Sequence, residues 1–300
     1  MGRRDLCEFV LLAAIWGASF LFMKIAVSEF GPIGLIACRV SVAAVFLFAI
    51  LAAKGAISTL PHKILPFFIL GAVNTAIPFV LFAYALKTLP VGYGAVINAT
   101  VPLFGALTAT MLGLEKISFQ KGVGLAVGFG GVLVLVASKL TAVENGLAIA
   151  AGLLAALLYG IAAYYSKKQF AGENPLVVAA GSLMGATALL IPFTWFAWPT
   201  SPISTKAWLY GIALGIVCTG IAYLLYFRLI KHVGPTKAIT VTYLIPVFGM
   251  LWGFIVLQEL ITWNMIVGCL VILAGTTMVI RSPHHPPSST TKVNVASSTT

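Results

Sequence analysis

Residues 71–131 read GAVNTAIPFVLFAYALKTLPVGYGAVINATVPLFGALTATMLGLEKISFQKGVGLAVGFGG, and residues 215–275 read GIVCTGIAYLLYFRLIKHVGPTKAITVTYLIPVFGMLWGFIVLQELITWNMIVGCLVILAG. Laid on each other at a constant offset of 144, without a gap, the two stretches are identical at sixteen of sixty-one positions. The matches include Gly71/Gly215, Thr75/Thr219, Lys87/Lys231, Pro102/Pro246, Phe104/Phe248, Gly105/Gly249, Glu115/Glu259 and Gly131/Gly275. Upstream the register continues at an offset of 143, pairing Gly17 with Gly160, Lys24 with Lys167 and Pro32 with Pro175. The chain is an internal duplication, and repeats inside an apolar chain are a recurring plan of secondary transporters.

Composition supplies the solvent. Sixty per cent of residues are apolar and 8% charged, and mean hydropathy is +1.06. A soluble domain carries roughly a quarter of its residues charged, so this chain belongs in a bilayer. The net charge of +11 does not point to nucleic acid, because the Lys and Arg residues flank apolar runs singly or in pairs. Cys7, Cys38, Cys218 and Cys269 lie in or beside apolar stretches without paired or metal-type spacing, so no metal or redox role is expected. Nor is a cofactor, since there is no nucleotide-binding loop and no HExxH or GxSxG in context. No enzymatic activity is expected.

About twenty apolar residues span a membrane as a helix. Ten such runs occur, at 8–28, 32–53, 64–86, 90–113, 119–138, 146–166, 175–197, 207–230, 234–257 and 262–281. Gly31-Pro32, 58–61, Pro90, Asn174-Pro175, 199–202 and Gly234-Pro235 punctuate them. The expected fold is an all-α membrane protein of ten transmembrane helices in two five-helix repeats, 8–139 and 145–281. A polar, Pro-rich tail, 282–300, is expected to be disordered and cytoplasmic. With the N-terminus inside, Arg3, Arg4, Lys54, Lys63, Lys116, Lys121, Lys167, Lys168, Lys231, Lys237 and Arg281 collect on that side. The bias predicts that both termini are cytoplasmic. Five helices is an odd number, so the second copy is inverted relative to the first and a site near the midplane can open to either face.

On the fourth helix Gly94, Asn98, Pro102 and Gly105 share a face, as do their mates Ala238, Thr242, Pro246 and Gly249. Such a stripe is costly against lipid. It either packs helices closely, with Asn98 as interhelical glue, or edges a substrate cavity at Asn98 and Thr242. Pro102 and Pro246 are candidate hinges. Further cavity candidates are Trp16, Ser19, Asn74, Tyr93, Tyr159, Thr219, Tyr223 and Tyr243. Arg39, the one charge well inside a span, either snorkels to the interface or pairs with an anionic substrate group. Glu115 and Glu259 read as helix-end charges. Tyr84, Tyr164 and Trp195 read as interfacial anchors. Glycines at 124, 128, 130 and 131, with Gly268 and Gly275, make packing faces within the bundle or between two copies in a homodimer.

These features resemble the EamA-type branch of the drug/metabolite transporter superfamily. The resemblance covers residues 8–281 and rests on Trp16-Gly17-Ala18-Ser19-Phe20 with Lys24, Pro32 and Arg39, and on Pro102 with Glu115 and Pro246 with Glu259 at one internal spacing. The second copy departs by carrying Tyr159 for Trp16 and Ser182 for Arg39. The resemblance implies two inverted EamA repeats around a central cavity. It also implies a small-metabolite permease of the bacterial inner membrane, an exporter of amino acids or related compounds, in contact with membrane lipid. A channel or a membrane scaffold is the alternative.

Overall fold

The computed structural model describes residues 2–55, 63–137, 139 and 143–282. The expected tail from residue 283 and the break at 58–61 lie outside the described residues. Among the described residues there is no strand, and nine helices are long and apolar enough to cross a membrane. They are α1 (Arg3–Ala53), α2 (Ile64–Thr88), α3 (Val91–Met111), α4 (Phe119–Val136), α5 (Val143–Gln169), α6 (Pro175–Ala197), α7 (Thr205–Val233), α8 (Ile239–Leu257) and α9 (Trp263–Arg281). The protein is a multi-pass membrane protein. Its outer surface is apolar, with Phe119 at 90% exposure and Trp195 and Phe196 at 86% and 88%, as hydrocarbon contact requires.

Helix α1 has 51 residues, about 77 Å if straight, against a hydrocarbon core of about 30 Å. It is not straight. At Gly31 the backbone turns to φ 68, ψ 164, a left-handed value that costs an L side chain energy and glycine little. Pro32 then opens the next helical stretch, where its missing donor is no loss. The sequence break at Gly31-Pro32 is thus a kink between two helical stretches.

Three sets of backbone approaches lock the bundle, and each occurs twice. A Cβ on Gly17 would lie 2.6 Å from Phe248 Cβ and 3.0 Å from Gly249 N; one on Gly160 would lie 2.7 Å from Gly105 N. A Cβ on Gly215 would meet Arg39 O at 2.9 Å, and one on Gly71 would meet Ser182 O at 2.3 Å. A Cβ on Gly131 would meet Ile272 N at 2.7 Å, and one on Gly275 would meet Gly128 N at 2.4 Å. In every pair the contacting residues exchange under the duplication: 17:249 becomes 160:105, 215:39 becomes 71:182, and 131:272 becomes 275:128. The glycine faces of α4 and α9, at Gly124, Gly131, Gly268 and Gly275, therefore meet each other inside one chain.

Gly131→Val and Gly275→Val should each lower the thermal midpoint of the purified protein, because overpacking against backbone costs about 1–3 kcal/mol. Gly130, with open space around its Cβ position, is the control. Gly130→Ala should leave the midpoint unchanged or raise it slightly through helix propensity. A loss equal to that of the valine variants would contradict the packing account.

Candidate functional site

The first stretch of α1, its second stretch, α2, α3, α5, α7 and α8 enclose a cavity of about 330 Å³, within the range that takes a small ligand. Of the residues singled out from sequence, Trp16, Ser19, Arg39, Asn74, Asn98, Tyr159, Thr219, Tyr223 and Thr242 line it, and so does Pro102. Both halves of the chain contribute.

The polar wall is shaped by two π turns. Ala72–Ala76 in α2 and Ile216–Ile221 in α7 are wound one residue wider than an α-helix, at repeat-equivalent positions. Such bulges recur at functional sites because they loosen the backbone ladder and re-aim side chains. Here they put Asn74 in the wall from one copy and Cys218 and Thr219 from the other. The Thr219 hydroxyl donates to Leu214 O, five residues back, at 2.8 Å. Its mate Thr75 is fully buried, and its hydroxyl has no partner among the described residues.

Arg39 is 4% exposed, which rules out snorkelling. Gly215 lets the backbone of α7 approach Arg39 closely. The guanidinium Nε donates to Thr219 Oγ1 at 3.0 Å and Nη1 to the Met23 sulfur at 3.4 Å. Its carbon sits 3.8 Å from the centroid of the Phe79 ring. No carboxylate pairs with it among the described residues. A desolvated cation–π contact is worth about 2 kcal/mol, less than the several kcal/mol that burying one ion costs. The site is left short of one negative charge.

The rest of the wall is aromatic. Trp16 and Tyr226 lie 5.3 Å apart and Phe82 stacks on Tyr159 at 6.2 Å. The amides of Asn74 and Asn98 are half-buried, and neither is bonded among the described residues. Asn98 ends the first segment of α3; the helix breaks at 99–100 and restarts one residue before Pro102. At the equivalent place in the second copy a 3-10 turn, Ile239–Tyr243, precedes Pro246.

Two cavity candidates, Tyr93 and Tyr243, do not reach the cavity, and neither does the hinge candidate Pro246. Tyr93 is buried in α3 with Lys139 Nζ 5.7 Å from its ring centroid. Tyr243 turns toward Thr277 and Arg281 of α9. Pro246 is buried behind the wall rather than in it. In their place the cavity takes Phe20, Met23, Phe79, Phe82, Cys218 and Tyr226. Of these Phe79 was legible as the repeat mate of the candidate Tyr223; Phe82 and Tyr226, mates of each other, were both missed.

The helix-end glutamates hold different partners. Glu115 forms an ion pair with Lys121. Glu259 accepts the Val91 N–H at 2.8 Å, capping α3 from the other copy. Burial raises the Glu259 carboxyl above the usual carboxylate range, against the pull of that N–H and of Lys24. Lys24 Nζ in turn donates to Leu89 O at 3.0 Å. At that end Leu86, Leu89, Val91 and Tyr93 are all sealed. Their repeat mates Pro235 and Lys237 are exposed, and Ile239, in the cavity wall, is 43% exposed.

The model of the EamA-like transporter family matches this chain twice, over residues 6–137 and 146–281. The chain belongs to the EamA-like transporter family. Relatives of this EamA-like chain include the uncharacterized transporter YoaV of Bacillus subtilis, 25% identical over 90% of this chain and 94% of its own length. A Streptantibioticus cattleyicolor protein named "Probable terminal-alkyne amino-acid exporter" is 24% identical over 91% of this chain and 92% of its own. A solved crystal structure superposes with a TM-score of 0.63 at 19% identity, covering 93% of this chain and 98% of that one; the likeness extends to the fold alone.

Proposed function

We propose that this EamA-like protein is a secondary transporter that moves small metabolites across the cytoplasmic (inner) membrane by alternating access around the cavity. The observation that carries the reading is a single cavity walled at repeat-equivalent positions by both copies: Asn98 with Thr242, Trp16 with Tyr159, Phe79 with Tyr223. The two copies, 8–139 and 145–281, are inverted five-helix repeats, ten crossings in all once α1 is divided at Gly31. The reciprocal glycine contacts support this, since a twofold axis between the copies would generate each pair from its mate. The cargo is an amino acid or a related compound, and the direction is export. No catalytic step is assigned to the cavity, and the driving force is a gradient of substrate or ion.

A melting screen of the purified protein against amino acids, organic acids, polyamines, sugars and nucleotides tests the binding part. A ligand at a hundred times its dissociation constant stabilises the native state by about 2.7 kcal/mol, a readable shift. No shift from any class would count against a binding cavity.

Both termini are placed in the cytoplasm on the charge bias. In a cysteine-free background, Lys206→Cys should react with a membrane-impermeant reagent on intact cells and Lys63→Cys should not. Labelling of the Lys63 position alone would overturn the orientation.

A further inference from the structure

The cavity holds one fixed charge and nothing to balance it. Arg39 is buried, bonded to a neutral hydroxyl and a thioether, and laid on the Phe79 ring. Of the five N–H donors of a guanidinium, one meets an oxygen acceptor among the described residues. Every other lining residue is neutral and carries no carboxylate: Ser19, Asn74, Asn98, Thr219 and Thr242 are polar, and the remainder is aromatic, aliphatic or sulfur-bearing. Thr219, which orients the guanidinium, is itself held by the π turn through Leu214 O. The donor fork is thus fixed before a ligand arrives.

We propose that this cavity selects net-anionic organic acids, seating a carboxylate on Arg39 and a flat apolar body among Trp16, Phe79, Phe82 and Tyr226, in preference to the zwitterionic amino acid of the same body. The proposal rests on the cavity being the transport site and, within the amino acids and related compounds proposed above, favours the related carboxylic acids that lack an α-ammonium. A carboxylate accepts two parallel N–H bonds from a guanidinium and supplies the missing charge. An α-ammonium brought in beside it gains no carboxylate, loses its water, and sits in the field of Arg39, where a like charge at low dielectric is repelled. The Asn74 and Asn98 carbonyl oxygens offer an ammonium neutral acceptors but no counter-charge. The ring with the closest cation contact, Phe79, already carries Arg39.

Three probes with one body separate the terms: 3-phenylpropionate, with the carboxylate only; L-phenylalanine, with both groups; and phenethylamine, with the amine only. Dissociation constants are measured by calorimetry on the purified full-length protein in lipid nanodiscs at neutral pH. The expected order is phenylpropionate tighter than phenylalanine by tenfold or more, about 1.4 kcal/mol, with phenethylamine undetectable at tenfold higher concentration. Arg39→Lys should keep the order with a smaller gap, and Arg39→Gln should erase it. If Arg39→Gln does not fold, the wild-type order still decides. Phenylalanine binding as tightly as phenylpropionate, or phenethylamine binding best, would overturn the proposal. Binding of none of the three would overturn it too, while leaving the transporter reading to the flux of other solutes.

Discussion

Arg39→Gln should lower transport by about 10- to 150-fold while leaving the unliganded protein as stable as before or more so. The first figure follows from losing a charge-assisted hydrogen bond, about 1.5–3 kcal/mol. The second follows from the unpaired state of the guanidinium: a buried ion without a counter-charge is a cost to the fold that a neutral amide removes. Opposite signs in function and stability are what a group retained for ligand recognition should give. Arg39→Lys keeps the charge but loses the planar fork and the stacking on Phe79, so transport should fall by an intermediate factor. Melting curves with and without the ligand from the screen, and initial rates, decide the matter. Normal affinity and rate in Arg39→Gln, or a collapse of the fold with no loss specific to ligand, would assign Arg39 to structure.

Pro102→Ala and Pro246→Ala should slow transport several-fold with little change in ligand affinity, and Asn98→Leu should do the reverse. A proline has no N–H, so the i→i−4 bonds that would reach the carbonyls of Asn98 and Thr242 cannot form. Both helices are broken just upstream, at 99–100 and in the turn Ile239–Tyr243. Alanine would let those bonds close and straighten the segments. It would then bias the equilibrium between states rather than the site. Pro246 makes the cleaner test because it lies off the cavity wall. Asn98→Leu removes an amide with no other partner among the described residues, so one net hydrogen bond to ligand, about 1–1.5 kcal/mol, should raise the dissociation constant roughly tenfold. Equal, modest loss of folded protein in all three variants would mean that the stripe only packs helices.

Much of this architecture was legible. The duplication at offset 144 marks equivalent positions before any helix is placed, and pairing Asn98 with Thr242 or Trp16 with Tyr159 needs only that alignment. Arg39 stood out because a charge inside a span is expensive anywhere but a polar interior; the sequence left snorkelling and burial both open, and its partner Thr219 was not legible. Where Tyr93 and Tyr243 point was not legible. Their position along a span gives a depth, and depth does not fix which way a side chain points. Each π turn or 3-10 turn changes the residues per turn and rotates everything beyond it, so a face read at 3.6 residues drifts across the breaks in α2, α3, α7 and α8. Nothing in Ala72–Ala76 or Ile216–Ile221 signals a wider turn in one sequence alone. Cys218 was set aside for want of metal or redox spacing; it is buried, and it also lines the cavity.

Carrier activity is the central claim, and flux through reconstituted vesicles tests it most directly. The solute that most stabilises the purified protein in the melting screen is loaded as tracer outside proteoliposomes, with the same unlabelled solute inside or absent. The account predicts initial rates that saturate with concentration and rise when unlabelled solute is present on the opposite side, because reorientation is faster with the cavity filled. Rates that climb linearly with concentration and ignore the opposite side would indicate a channel. Rates equal to those of protein-free vesicles would contradict transport altogether.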